Sequence, residues 1–296
     1  MPERLDLKVG FSCNNRCRFC VQGDKRTRYG DRSTEELIAI LEEGRGRCDG
    51  VVLTGGEVTI RKDVVELVAA ASRLGYTTIQ VQTNGRMLSS EPFLDRLIEA
   101  GITEVSPAIH GPDPETHDAL TRVPRSFVQT VRGVRLVRKK GLPVLINSVV
   151  VRRNHRLLPD MARLFVGLDV QQFQFAFVHA LGEAERRFKE IVPLLSEAQP
   201  YLRAGIAIGR RAGVPCMVEG VPLCFLPGIE DAAAEHRIPD TRIDEGPRVV
   251  EDWTQQRRDA AKAHGPVCAG CRWESVCEGP WREYPEHFGW GEFTAV

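Results

Sequence analysis

Three cysteines crowd one short stretch, Cys13-Asn14-Asn15-Arg16-Cys17-Arg18-Phe19-Cys20, with the spacing C-x3-C-x2-C. Three thiolates on one loop can hold three corners of a cubane iron–sulfur cluster and leave the fourth iron without a protein ligand. A structural zinc would want a fourth ligand, commonly Cys or His, and no His lies nearby in the sequence. A second group stands near the C-terminus: Cys268-Ala269-Gly270-Cys271, five residues, then Cys277. Nine cysteines in one chain, clustered near both ends, point to two metal sites. Cys48 and Cys216 have no firm role, although Cys216 is a possible ligand in the C-terminal group.

Other residues fit a site built at strand ends. Gly55-Gly56-Glu57 offers close backbone approach and a carboxylate suited to an ammonium group. His110 and His117 flank one loop, and His179 ends a later strand; His110 is the candidate acid or base. Arg16, Arg18, Lys25, Arg26 and Arg28 form a basic stretch after the first cysteine group.

The elements that must position these residues alternate. Strand-like segments at 5–11, 51–54, 77–82, 102–109, 144–151 and 170–178 are separated by helical periodicity. Ser33-Thr34-Glu35-Glu36 reads as a capping box opening one helix. Strict alternation implies parallel strands and right-handed crossovers. Six units are too few for a closed eight-stranded barrel. The expected class is therefore α/β, an open sheet or partial barrel, with ligands at the strand C-terminal ends. Cys13, Gly55-Gly56-Glu57, Asn84-Gly85 and His110-Gly111 all fall on that rim. After residue 195 the rhythm breaks, Pro and Gly become dense, and one more helix is expected over 249–264. The expected division is 1–195 for the barrel and 196–296 for a small C-terminal domain. A region with so little core suits a metal staple.

Composition narrows the function. The 296 residues carry 40 basic and 40 acidic side chains, a formal net charge of +0. That disfavours a chain that grips nucleic acid or an anionic membrane by bulk charge. No apolar run approaches the roughly 20 residues of a membrane span. With no signal peptide ahead of the first strand, a cytoplasmic location is expected.

On Cys13, Cys17, Cys20 and Gly55-Gly56-Glu57, the chain resembles the radical S-adenosylmethionine (SAM) superfamily over about residues 5–182. Family members usually carry proline after the glutamate; here it is Val58. The resemblance implies a partial (β/α)6 TIM-like barrel and a [4Fe-4S] cluster whose open iron chelates the methionine end of SAM. One electron to the sulfonium breaks the C–S bond, and a 5′-deoxyadenosyl radical abstracts hydrogen from substrate. By the same resemblance Gly55, Gly56 and Glu57 orient the SAM amine, and Asn84 belongs to the third-strand motif. Ser106 and Asn147 contact ribose or carboxylate, Phe19 flanks adenine, and Arg122 binds the SAM carboxylate. The tail resembles the SPASM and shorter twitch branches, which hold auxiliary clusters. A full SPASM pattern would place a cysteine where Trp281 stands, so one auxiliary [4Fe-4S] cluster is implied. Its ligands would be Cys224, Cys268, Cys271 and Cys277, with Cys216 the rival to Cys224.

These features imply an enzyme reduced by a flavodoxin or ferredoxin-type donor, with the basic stretch as a docking surface. The tail pattern favours a peptide or amino-acid side chain as substrate, in peptide or protein maturation. The alternative is oxidation or rearrangement of a small carbohydrate- or nucleotide-like metabolite. A reading of another class is a zinc-binding scaffold on the same fold.

Overall fold

The computed structural model describes residues 3–296. Six strands alternate with helices: β1 (Arg4–Lys8), β2 (Gly50–Thr54), β3 (Thr78–Thr83), β4 (Glu104–Pro107), β5 (Leu145–Val150) and β6 (Gln172–Phe177). β1 to β4 pair in sequence and in parallel, as do β5 and β6. Parallel bridges at Val105–Val144 and Ala108–Asn147 join β4 to β5. The expected partial barrel is therefore formed.

Alternation along each strand sorts the side chains between two environments. On β6, Phe173, Phe175 and Phe177 are buried on the outer face. There Phe173 and Phe175 pack against Phe165 of the helix Leu158–Gly167. Gln172 and Gln174 point the other way, into the barrel lumen. The same switch runs along β1, where Leu5 and Leu7 are fully buried while Arg4 and Asp6 line the lumen. Ser33 caps the helix Thr34–Arg45 through the Glu36 N–H, as the capping box predicts.

The residues after 195 do more for the barrel than their composition suggests. The helix Leu195–Arg211 packs on Leu158–Gly167. β7 (Cys216–Glu219) adds to β6 in parallel. β8 (Thr241–Asp244) adds to the opposite edge, parallel to β1, and β9 (Val249–Val250) follows antiparallel. The change of rhythm at residue 195 is thus no break in the packing. The helix expected over 249–264 is not formed as one element. Val250 pairs with Ile243, Asp252 caps only a short helix at Trp253–Gln256, and a widened π turn follows at Arg257–Ala261. The reason is local: the Arg257 guanidinium is drawn inward by two bonds, 2.6 and 2.8 Å, to the buried carboxylate of Glu278.

Candidate active site

The strand C-terminal ends converge on a cavity of about 190 Å³. Cys13, Cys17 and Cys20 line it together with Gly55, Gly56, Glu57, Thr83, Asn84, Ser106, His110 and Asn147. No three His, Cys, Asp or Glu side chains among the described residues gather tightly enough to hold a single ion. Cys13, Cys17 and Cys20 edge one space, an arrangement compatible with three corners of a cubane. Burial, and then Cys20 and Cys13 nearby, hold Cys17 well above the usual thiol range. Such thiolates coexist once bound iron supplies positive charge.

The loop of residues 13–20 is braced by its neighbours. Asn84 Nδ2 donates to Asn14 Oδ1 at 2.6 Å. Arg86 reaches Asn14 O at 2.8 Å and Asn15 Oδ1 at 3.0 Å. The glycine pair joins this brace directly. Gly56 N donates to Gly10 O and Glu57 N to Ser12 O, both at 2.8 Å. A Cβ at Gly56 would lie 2.2 Å from Ser12 O, and Gly55 holds φ +123°. The double glycine is therefore needed so that the end of β2 can touch the cysteine loop itself.

Glu57 is deeply buried and already bonded. Oε1 accepts from Thr59 N at 3.0 Å and from the Thr59 and Thr83 hydroxyls at 2.5 Å; Oε2 accepts from Asn84 N at 2.6 Å. Desolvation raises its pKa, while these donors oppose the shift. A carboxylate oxygen can accept at least two hydrogen bonds, and Oε2 has one. Oε2 thus keeps one for a donor in the cavity, such as an ammonium group.

The other expected residues divide. Asn147 lines the cavity, and its Oδ1 is buried without a partner. Such an atom calls for a donor from outside the protein. Ser106 also lines the cavity. His110 Nδ1 accepts from Val149 N at 3.2 Å, which leaves its proton on Nε2. Burial, reinforced by His117, lowers its pKa to about 3. That shift favours a neutral ring near pH 7, with Nε2 as a donor. Phe19 is buried with its ring edge-on to His110 at 4.7 Å and does not itself line the cavity. Arg122 is exposed, in a left-handed conformation at a helix end, and does not reach the site. Arg26 does line the cavity, among charges that a basic run disguises as a solvated face. Gln82 is a second lining residue that no motif signals.

Below this cavity the lumen opens to about 650 Å³. Gln82, Ser106 and Asn147 line both spaces, so the two lie against each other. In the lumen, Gln80 donates to Glu104 and Gln174 to Glu219, each at 2.5 Å.

A family model, the Radical SAM superfamily, matches residues 7–165. The chain belongs to the radical SAM superfamily. It is an enzyme, and its cofactors are a [4Fe-4S] cluster and SAM. It is 30% identical over 191 residues to a probable GTP 3′,8-cyclase of Saccharolobus islandicus, covering 64% of this chain and 61% of that one. It is 32% identical over 159 residues to an AdoMet-dependent heme synthase of Nitratidesulfovibrio vulgaris, covering 53% of this chain and 43% of that one. The chain thus spans about three fifths of the length of the cyclases it matches. Among solved structures it superposes on Streptococcus suis SuiB bound to precursor peptide SuiA. The TM-score is 0.70 at 14% identity, over 100% of this chain and 75% of that one. That likeness is one of fold.

The second cysteine group also converges. Cys224, Cys268, Cys271 and Cys277 line one small cavity of about 30 Å³. Burial, then the charges of Cys277, Cys268 and Cys271, raise Cys224 to about 11. Cys216 lies elsewhere, on β7, with its thiol toward Ile206 O at 3.5 Å. No helix is long and apolar enough to cross a membrane among the described residues.

Proposed function

We propose that this enzyme abstracts hydrogen from a small polar metabolite, carbohydrate- or nucleoside-like, held in the barrel lumen. The reading rests on the polar lumen lying directly against the cavity that carries Cys13, Cys17 and Cys20, with Gln82, Ser106 and Asn147 facing both. The names of the sequence relatives favour a small molecule over a peptide. The lumen also argues about charge. Asp6, Glu104 and Glu219 line it, with Glu3 and Asp49 at its lower mouth, against Arg4 and Arg237. Carboxylates repel phosphate, so the preferred substrate is a neutral or cationic molecule rather than a nucleoside triphosphate.

In this reading Cys13, Cys17 and Cys20 hold the catalytic cluster, and Cys224, Cys268, Cys271 and Cys277 hold an auxiliary one. When bound, the first cluster and SAM supply a carbon radical that removes hydrogen from substrate. The chain's own part is to orient. Glu57 Oε2 accepts from the SAM ammonium, Asn147 Oδ1 accepts from a SAM hydroxyl or a substrate donor, and His110 Nε2 donates into the cavity. The Gln80–Glu104 and Gln174–Glu219 pairs leave acceptor oxygens toward the lumen, which suits a ligand rich in N–H and O–H groups.

The test is anaerobic turnover with SAM, dithionite and deuterated candidates. Nucleosides and amino sugars are expected to pass deuterium into 5′-deoxyadenosine, read by mass spectrometry. Transfer from GTP or from a peptide, with none from these molecules, would sink the reading.

A further inference from the structure

Of the basic stretch that follows the cysteine loop, one member turns inward. Lys25 is committed to Glu245 at 2.7 Å, and Arg28 pairs with Asp24 at 3.4 Å on the surface. Arg26 lines the cavity with the three cysteines. Its Nη1 donates to Asn15 O at 2.8 Å and its Nη2 to Cys20 Sγ at 3.8 Å. Nε is buried without a partner. No carboxylate among the described residues forms an ion pair with this guanidinium. Its charge also acts on Cys13 and Cys17. A full positive charge thus stands uncompensated beside the three sulfurs, with one N–H on a sulfur.

We propose that Arg26 sets the reduction potential of the cluster held by Cys13, Cys17 and Cys20. It is a positioning and tuning residue, not one that reacts. Reduction adds one electron from an external donor, so the reduced cluster carries one more negative charge than the oxidised one. A fixed cation and an N–H···S bond stabilise that added charge, and hydrogen bonds to sulfur and net charge are established determinants of cluster potential. The planar fork matters as well as the charge. It spans the Asn15 carbonyl and the Cys20 sulfur at once, which an ammonium on a flexible stem does less well.

The proposal rests on the assignment of those three cysteines to a cluster. The experiment is an anaerobic dithionite titration of reconstituted full-length protein, followed by electron paramagnetic resonance. The signal of interest is the component that changes when SAM is added. Arg26→Gln is expected to retain iron and to lower the midpoint by at least about 59 mV, a tenfold change in a one-electron equilibrium. Arg26→Lys is expected to fall between Arg26→Gln and the parent protein. An unchanged midpoint in Arg26→Gln overturns the proposal. So does loss of the signal in both variants, which would make Arg26 a structural clamp. A parent protein with no SAM-responsive signal overturns the cluster assignment itself, and the proposal with it.

Discussion

His110 packs edge-on to Phe19 and accepts from Val149 N, and the second contact needs a neutral ring. Its pKa falls from the usual 6.5 to about 3, and burial lowers His117 to about 4. The unfolded chain therefore binds more protons below pH 6.5, and the native state loses stability as pH falls from about 6.5 toward 3. Denaturation midpoints across that window should drop, and His110→Asn, whose amide oxygen can replace Nδ1 as acceptor, should flatten the slope. The activity profile between pH 6 and 8 should show no inflection assignable to His110. Cysteine roles separate as cleanly. Cys216→Ala should leave the iron content unchanged, because its thiol packs against Ile206 O away from either cavity. Cys224→Ala should lower it, read by iron assay after reconstitution. The cysteine triad was legible because its members are neighbours in sequence, and a loop cannot scatter them. The arginines are harder to sort for the opposite reason: Arg26 lines the cavity and Arg122 is exposed. Whether an arginine faces a cavity depends on backbone direction, which residue type does not encode.

At the scale of elements, the cysteine loop and the end of β2 act as one unit, joined by Gly56 N–Gly10 O and Glu57 N–Ser12 O. Gly56→Ala places a methyl group against the Ser12 and Phe11 backbone, at 2.2 and 2.6 Å, where no side chain can swing away. Overpacking of this kind costs about 1–3 kcal/mol, and the loop should lose iron before the fold is lost. Urea titration and iron content, measured together, check this. The six principal strands were legible because their outer faces are apolar at period two. β7 and β8 were not. Each spans four residues, and β8 carries Arg242 and Asp244 on its outward side. Arg242 is taken up by Glu43 and by nearby Glu251, and Asp244 by Arg32; Glu43 and Arg32 are far away in sequence. A strand whose polar residues find distant partners looks like a loop until the partners are known. The missing helix at 249–264 has the same root, since Glu278 fixes Arg257 from across the tail.

For the whole molecule, the tail is held to the barrel mouth by a compact stack. Trp281 donates to Phe177 O at 3.1 Å, lies flat on His179 at 4.0 Å, and carries the Lys262 ammonium 4.0 Å from its ring centre. Lys262 in turn bonds Glu235 at 3.1 Å. Trp281 therefore anchors the tail at the position where a full SPASM pattern would place a cysteine. Glu278→Gln leaves Arg257 buried without its counter-charge, and breaking a buried pair this way costs about 3–5 kcal/mol. Thermal unfolding should show that loss even in protein prepared without iron. Replacing Cys268 and Cys271 together by Ala should remove about four irons per chain and leave SAM-dependent spectral changes in place. The other consequence concerns how such chains can be recombined. β7 closes one edge of the barrel and β8 closes the other, so the tail interleaves with the barrel at both ends of its wall. A chimaera spliced at residue 195 would strip both edges at once and expose the backbone of β1 and β6. The safer crossover is beyond β9, and a donor tail grafted there would inherit this enzyme's own walls.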